Sequence, residues 1–135
     1  MNILFVCKYN RFRSRVAEAY FKKINKDESI NASSGGIIKG FLPLDKDEVR
    51  VAKNFGISIL GKPRALSVEL LKSQDKIIVV ANDVPKKVFS YGAYKNKVEI
   101  WKIPDANEGK TQDKRLSEII EKIIKKVDNL NKELK

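Results

Sequence analysis

The stretch ILFVCKYNRFRSRVAEA, residues 3–19, decides the fold because a buried strand and a helix meet there around a short basic loop. Four apolar residues precede Cys7 without a polar break, which is typical of a parallel strand buried on both faces. After the loop, the apolar residues follow helical spacing. We predict a helix to about Asn25 with Ser14 as its N-cap. The only cysteine of this chain therefore stands where a strand passes into a helix.

The rest of the chain alternates strands and helices. We predict further strands at 29–33, 76–81 and 98–101, helices at 45–55, 67–72, 84–91 and 112–134, and a turn at 34–36. This alternation favours an α/β fold with a parallel sheet and helices on both faces, and the length fits one domain, 1–135. Asp105 follows the last strand, so Cys7 and Asp105 can meet at the carboxyl edge of the sheet.

The composition excludes several classes of protein. No apolar run approaches the roughly 20 residues of a membrane span, and one cysteine cannot form an internal disulfide. The N-terminus lacks a signal-peptide layout, so we expect a cytoplasmic protein. The net charge of +11 could attract nucleic acid, but the lysines spread over predicted helix faces and favour a solvated basic surface. Histidine is absent, which leaves acid–base chemistry to Asp, Glu, Lys, Tyr or Cys.

The loop after Cys7 has the residue types of an anion-binding site. Its skeleton is C-x5-R-S between a strand and a helix. The N–H groups of such a loop converge on one point, and the helix N-terminus adds a partial positive charge. Arg13 can hold two phosphate oxygens in a fork. A thiol ionises more readily in this field, so we expect Cys7 to be a thiolate that can attack phosphorus.

The segment CKYNRFRS resembles C-x-G-N-x-C-R-S, the signature of the low-molecular-weight protein tyrosine phosphatase family. Cys7, Asn10, Arg13 and Ser14 match it, and the segments 61–67 and 103–105 are similar to two other parts of the family. The resemblance covers nearly the whole chain. It implies a three-layer α/β domain whose four-stranded parallel sheet has the flavodoxin-like order 2-1-3-4.

The resemblance also implies a mechanism. The substrate would be a phosphotyrosine-containing protein or a small aryl phosphate, hydrolysed through a phosphocysteine on Cys7 without a metal or another cofactor. Asp105 would be the general acid and base, and Ser14 would donate to the sulfur. We expect a monomer that uses neither membrane nor nucleic acid. The residues expected to bind phosphate are Lys8, Tyr9, Asn10, Arg11, Phe12, Arg13 and Ser14.

Several positions depart from the family pattern. Tyr9 replaces a glycine, Phe12 a second cysteine, Arg15 a proline, and Gly61 a histidine that braces the loop in many members. The usual Asp-Pro-Tyr-Tyr becomes Asp-Ala-Asn-Glu at 105–108. Those aromatics wall the phosphotyrosine ring in the family, so the substrate pocket needs other walls. The candidates are Tyr9, Phe41 and Trp101, although Trp101 is more typical of a core residue.

Other interpretations stay open. An arsenate reductase-like enzyme would need an external thiol, because no second cysteine is present. A phosphocysteine carrier of sugar transport is disfavoured by Arg13 and Asp105. A basic module could bind anions without turnover. Cys7 could also be a small buried hydrophobe, Asp105 a turn residue, and Lys8 and Arg11 solvated charges.

Overall fold

The sheet has four strands in the predicted order. The computed structural model describes residues 1–38, 44–89, 94, 97–105 and 113–135. The strands run β2-β1-β3-β4 with every neighbouring pair parallel, which confirms the 2-1-3-4 order. Within the described ranges, no helix has the length and apolar character to span a membrane. The elements are β1 (Asn2–Cys7), α1 (Arg13–Ile24), β2 (Asn31–Gly36), α2 (Lys46–Asn54), α3 (Val68–Lys72), β3 (Lys76–Val80), a 3₁₀ helix (Lys86–Phe89), β4 (Val98–Trp101) and α4 (Asp113–Glu133).

A separate hydrophobic cluster covers each face of the sheet. Ile3 and Phe5 of β1 pack with α1, α2 and α4, whereas Leu4 and Val6 pack with α3 and the 3₁₀ helix. Successive side chains of a strand point to opposite faces, so β1 is buried on both sides, as its apolar run predicts. The burial of β1 fixes where Cys7 leaves the sheet. The side chains that α4 buries are Leu116, Ile119, Ile120, Ile123, Val127 and Leu130.

The prediction of a turn at 34–36 is wrong, because β2 runs through it and ends at Gly36. The strand also begins at Asn31, two residues later than predicted. The two glycines do not reverse the chain; they allow neighbouring segments to pack closely against the end of β2. A Cβ on Gly36 would lie 2.6 Å from the carbonyl carbon of Tyr9, and one on Gly35 would lie 2.8 Å from Cδ2 of Leu66. The loop after Cys7 therefore lies directly against the end of β2.

Two predictions about helices are also wrong. Phe12 is the N-cap of α1, and Ser14 lies inside the first turn instead of capping it. The helix predicted at 84–91 is only a 3₁₀ helix at Lys86–Phe89, since Pro85 disfavours helical geometry at Val84. The predicted capping of α2 is confirmed, because Asp45 accepts hydrogen bonds from the backbone of Asp47 and Glu48. The predicted helix boundaries at 91 and 112 and the candidate wall Phe41 lie outside the described residues.

Candidate active site

Cys7 is the last residue of β1 and carries its sulfur to the start of α1. Its side chain is buried, and Sγ lies 3.0 Å from Oγ of Ser14. Ser14 reaches the sulfur because it occupies the first turn of α1, which is separated from the end of β1 by only five residues. Although Cys7 contributes to a hydrophobic cluster, its sulfur therefore has a polar partner, unlike that of a purely packing cysteine.

Asn10 fixes the shape of the loop. Its backbone has φ of 55°, a left-handed conformation that asparagine tolerates better than most residues. Its buried side chain makes three hydrogen bonds: Oδ1 accepts from the backbone N–H of Arg64 at 2.8 Å, and Nδ2 donates to Oγ of Ser14 at 2.8 Å and of Ser34 at 2.9 Å. One side chain thus ties the loop to α1, to β2 and to the segment before α3.

The N-terminus of α1 is suited to an anion. Phe12 caps it without a side-chain hydrogen bond, and the first turn contains no acidic residue. The N–H groups at such an end lack helical partners and carry a partial positive charge. Lys8, Tyr9 and Arg11 are half-buried along the loop, with Nζ of Lys8 5.4 Å from the centre of the Tyr9 ring. Phe12 packs its side chain into the core, so only its backbone can line the loop.

Arg13 joins three separate parts of the chain. It is almost fully buried, which excludes a surface role. Its Nη1 donates to the carbonyl of Ile103 at 2.9 Å, and its Nη2 donates to the Asp83 carboxylate at 3.0 and 3.3 Å. Asp83 is missed by the sequence analysis. The sequence feature that could have identified Asp83 is its position just after β3, because the carboxyl ends of parallel strands share one edge of the sheet.

Asp105 lies two residues beyond the carbonyl that Arg13 binds. It is half-buried and follows β4 at the same edge of the sheet as Cys7 and Asp83. The structure therefore brings the segment of the predicted acid to the arginine of the loop. The residues 106–108, which carry the departure from the family pattern, lie outside the described part of the chain.

Glu48, in the first turn of α2, is a further acid close to the site. Burial is the main reason that its pKa rises to about 7, and the carboxylates of Asp45 and Asp105 add to the rise, whereas Arg11 and Arg13 oppose it. Glu48 therefore lies within electrostatic reach of the loop. The sequence gives no signal of this, because a glutamate in the first turn of a helix usually complements the helix dipole.

Trp101 belongs to the core, as the sequence analysis favours. It is buried, with its ring centre 6.1 Å from that of Phe5. Of the two candidate walls that the structure describes, Tyr9 is the one on the loop. In the described ranges, no group of His, Cys, Asp and Glu side chains could hold a metal ion.

Sequence comparison assigns the chain to a family. The model of the low molecular weight phosphotyrosine protein phosphatase family matches residues 2–135. The chain belongs to this family. The low-molecular-weight phosphatase family thus accounts for the signature loop, the sheet order and the helix arrangement together. The prediction of a cysteine-dependent phosphatase of this type is confirmed.

Known phosphatases are similar to this chain in sequence and fold. Protein-arginine-phosphatase of Bacillus subtilis (strain 168) is 31% identical over 104 residues, which cover 73% of this chain and 68% of that protein. The low molecular weight protein tyrosine phosphatase of T. tengcongensis superposes with a TM-score of 0.83 at 26% identity, covering 98% of this chain and 99% of that one. A YwlE mutant from Bacillus subtilis superposes with a TM-score of 0.85, covering 99% of this chain and 98% of that one. At 23% identity, this similarity establishes the fold alone.

Proposed function

We propose that the protein hydrolyses phosphotyrosine in proteins, or small aryl phosphates, through a phosphocysteine on Cys7. One observation carries the proposal: Sγ of Cys7 lies 3.0 Å from the Ser14 hydroxyl at the start of α1, which has no side-chain cap and where the buried Arg13 also lies. Phosphoryl transfer requires a nucleophile, a fixed cation and a set of N–H donors, and this short stretch of chain supplies all three.

In the first step, the thiolate of Cys7 attacks phosphorus. A sulfur–phosphorus bond forms while the bond from phosphorus to the leaving oxygen breaks. Asp105, in its acid form, gives its proton to that oxygen, so tyrosine leaves as a neutral phenol. The loop N–H groups and Arg13 hold the three equatorial oxygens of the phosphoryl group. The Ser14 hydroxyl donates to the sulfur, which stabilises the thiolate before attack.

In the second step, water attacks the phosphocysteine. Asp105, now a carboxylate, takes a proton from the water as the new oxygen–phosphorus bond forms. The sulfur–phosphorus bond breaks, which returns the Cys7 thiolate and releases inorganic phosphate. The same Ser14 hydroxyl stabilises sulfur as a leaving group.

The anchoring of Arg13 suits it to hold phosphate. A guanidinium carries five N–H donors, and the bonds to Ile103 and Asp83 engage only the two terminal nitrogens. Its position is thus fixed before substrate arrives, which reduces the ordering cost at binding. Because one of these bonds leads to the segment of Asp105, the phosphate-binding group and the acid belong to one assembly.

The charge of the loop favours a phosphotyrosine substrate. Lys8 and Arg11 make its mouth cationic, and this repels the positive guanidinium of phosphoarginine. Phosphoarginine is nevertheless the second candidate, because a protein-arginine-phosphatase is 31% identical over 104 residues. In that case Glu48 and Asp105 would have to offset the cationic side chains.

The test is turnover by purified, reduced protein in the presence of EDTA. We expect hydrolysis of p-nitrophenyl phosphate and its loss in Cys7→Ser, with turnover retained in Ser73→Ala, a surface serine control. Peptides bearing phosphotyrosine, phosphoarginine or phosphoserine then rank the substrates by kcat/KM. A Cys7→Ser variant that retains turnover would overturn the mechanism, and oxidation of an added thiol by arsenate would favour the reductase interpretation instead.

Three further features complete the proposal. We infer a single domain at 1–135, a monomer, and a cytoplasmic location. The first is supported by a family match over residues 2–135. The others rest on the sequence pattern, and size-exclusion chromatography with light scattering tests the monomer.

A further inference from the structure

The hydrogen bonds around Asn10 have a defined direction. The backbone N–H of Arg64 can only donate, so the atom that faces it at 2.8 Å must be the Asn10 carbonyl oxygen. The amide nitrogen of Asn10 then faces Ser14 and Ser34. One backbone donor outside the loop therefore sets the orientation of the Asn10 side chain.

This orientation determines where each serine sends its proton. Both hydroxyl oxygens accept from Nδ2 of Asn10, so each hydroxyl hydrogen is available for another partner. The Ser14 hydroxyl lies 3.0 Å from Sγ of Cys7 and can donate to it when the sulfur is a thiolate, which has no proton to give. The Ser34 hydroxyl donates to the Glu18 carboxylate. Ser14 thus donates to the sulfur because the Arg64 N–H orients Asn10.

Arg15 holds the segment that carries this N–H. Its Nε donates to the carbonyl of Ile59 at 3.0 Å, and its Nη1 donates to that of Lys62 at 2.9 Å. Between these carbonyls, Gly61 has φ of 129°, and a Cβ there would lie 2.8 Å from Nη2 of Arg15. The guanidinium therefore occupies the space that glycine leaves, and it bridges α1 to the segment 59–64.

We propose that Arg15 is a positioning residue for the Cys7 thiolate. Its two hydrogen bonds hold the segment 59–64 so that the N–H of Arg64 stays against Asn10, and this keeps Ser14 donating to sulfur. The proposal rests on the proposed function insofar as that function needs a thiolate. Without the guanidinium, the carbonyl oxygen of Asn10 loses its fixed N–H donor, Arg64, and the Ser14 hydroxyl is no longer held in the direction of the sulfur.

A direct effect of charge must be separated from this positioning effect. The positive charge of Arg15 is itself electrostatically coupled to Cys7. A lysine keeps the charge but not the planar fork that reaches two carbonyls. The other charged groups on the elements around Cys7 are the same in every Arg15 variant: Lys8, Arg11, Arg13, Glu18, Glu48, Asp83 and Asp105.

The experiment measures the rate of Cys7 alkylation by iodoacetamide against pH, which reports the thiolate fraction without any turnover. We expect Arg15→Ala to move the midpoint of the profile upward by about half to one pH unit, lowering the rate below the midpoint by about three- to tenfold. The plateau at high pH stays unchanged. Arg15→Lys shifts the midpoint by most of that amount, because it lacks the fork.

Lys23→Ala is the matched control. Lys23 lies on the same helix and donates to the carbonyl of Gly56 at 3.3 Å, but that segment makes no hydrogen bond to Asn10. We expect its profile to match the wild type. Gly61→Ala gives a second route to the same effect, since its Cβ displaces the guanidinium, and we expect an upward shift there too.

Two outcomes would overturn the proposal. One is a wild-type midpoint in both Arg15→Ala and Gly61→Ala. The other is a wild-type midpoint in Arg15→Lys alongside a shifted Arg15→Ala, which would assign the effect to charge alone. Unfolded protein would expose Cys7 as an ordinary thiol with a pKa of about 8.5 and would itself move the midpoint. Circular dichroism therefore confirms that each variant is folded before alkylation, and Arg15→Lys serves where the alanine variant is unstable. Retained turnover in Cys7→Ser would refute the proposed function but leave this measurement intact.

Discussion

The two sides of the site, one with the proposed nucleophile and the other with the proposed acid, are held in different ways. On the nucleophile side, Cys7, Asn10 and Ser14 are buried and hydrogen-bonded to one another within eight residues of sequence. On the acid side, the segment leading to Asp105 is tied to the loop by a single described hydrogen bond from Arg13 to Ile103, 90 residues away. The nucleophile side is thus a dense network, in which Ser34 and Arg64 also bind Asn10, whereas a single long-range bond aligns the segment of the proposed acid with it.

This difference indicates which substitutions should affect both sides at once. Arg13, the first residue of α1, contacts both the segment of the proposed acid and Asp83. Asp105 is the proposed acid alone, and Asp83 only anchors Arg13. Glu48 influences the site through its charge. The predicted effects therefore decrease from Arg13 through the two aspartates to Glu48.

Arg13→Lys should have the largest effect. A lysine cannot hold two phosphate oxygens while also binding Ile103 and Asp83, so we expect kcat/KM to fall by about 10²- to 10³-fold. Steady-state kinetics with p-nitrophenyl phosphate measures it. Arg50→Lys is the control, because Arg50 forms its ion pairs on the surface with Asp47 and Asp113. Equal activity of the two variants would contradict the role of Arg13.

Asp105→Asn should depend on the leaving group. Because asparagine cannot donate a proton to the leaving oxygen, we expect kcat for a phosphotyrosine peptide to fall by about 10²-fold. The loss should be much smaller for p-nitrophenyl phosphate, since p-nitrophenol is a far stronger acid than tyrosine and leaves without protonation. The ratio of the two losses is the measurement. A uniform loss on both substrates would count against Asp105 as the acid.

Asp83→Asn should cause a smaller and uniform loss. The carboxylate anchors Arg13 but has no part in proton transfer, so we expect kcat/KM to fall by about tenfold for both substrates. Asp75→Asn is the control. Asp75 lies just before β3, at the opposite end of that strand from Asp83, and accepts a hydrogen bond from the backbone N–H of Asn2. A leaving-group dependence in Asp83→Asn would show that the two aspartates are misassigned.

Glu48→Gln should alter stability with pH. The folded pKa of Glu48 is about 7, above its ordinary 4.5, so the folded state binds the proton more tightly than the unfolded state does. The resulting stabilisation is present below about pH 4.5 and is lost as the pH rises through about 7. The variant removes this dependence. We expect the loss of unfolding free energy between about pH 5 and pH 8 to be smaller in the variant, by about 1–3 kcal/mol.

Urea denaturation at the two pH values measures this difference. Glu121→Gln is the control, because Glu121 is exposed on α4 and should follow the wild type. If Glu48→Gln showed the pH dependence of the control, burial of the carboxyl group would have no energetic consequence.

Much of the fold and the centre of the site could be predicted from the sequence. The apolar runs before Cys7 and at 76–81 identify central strands, because only a strand covered on both faces lacks polar alternation. The spacing from Cys7 to Arg13 predicts an anion-binding loop, since both residues flank a strand-to-helix turn. These signals are local, and the structure preserves the local relations.

The errors and omissions concern contacts between distant segments. Two consecutive glycines, Gly35 and Gly36, are typical of a turn, but here they belong to a strand. The close approach of Leu66 to Gly35 and of Tyr9 to Gly36 explains why the strand has glycine at both positions. Serine is a common N-cap residue, but the hydroxyl of Ser14 forms a hydrogen bond with the sulfur of Cys7 instead. The pairing of Arg13 with Asp83 spans 70 residues, and no pattern within either segment indicates it.

The close approach at Gly36 limits how this sequence can vary. Position 36 supplies no acid, base or charge, yet its missing side chain is the space through which the chain passes between Tyr9 and Asn10. Even a single methyl group there would displace those peptide planes, and with them the direction of their N–H groups, while leaving Cys7, Arg13 and Asp105 in the sequence. An inventory of functional groups would classify such a variant as intact, although the geometry that makes those groups useful had been lost.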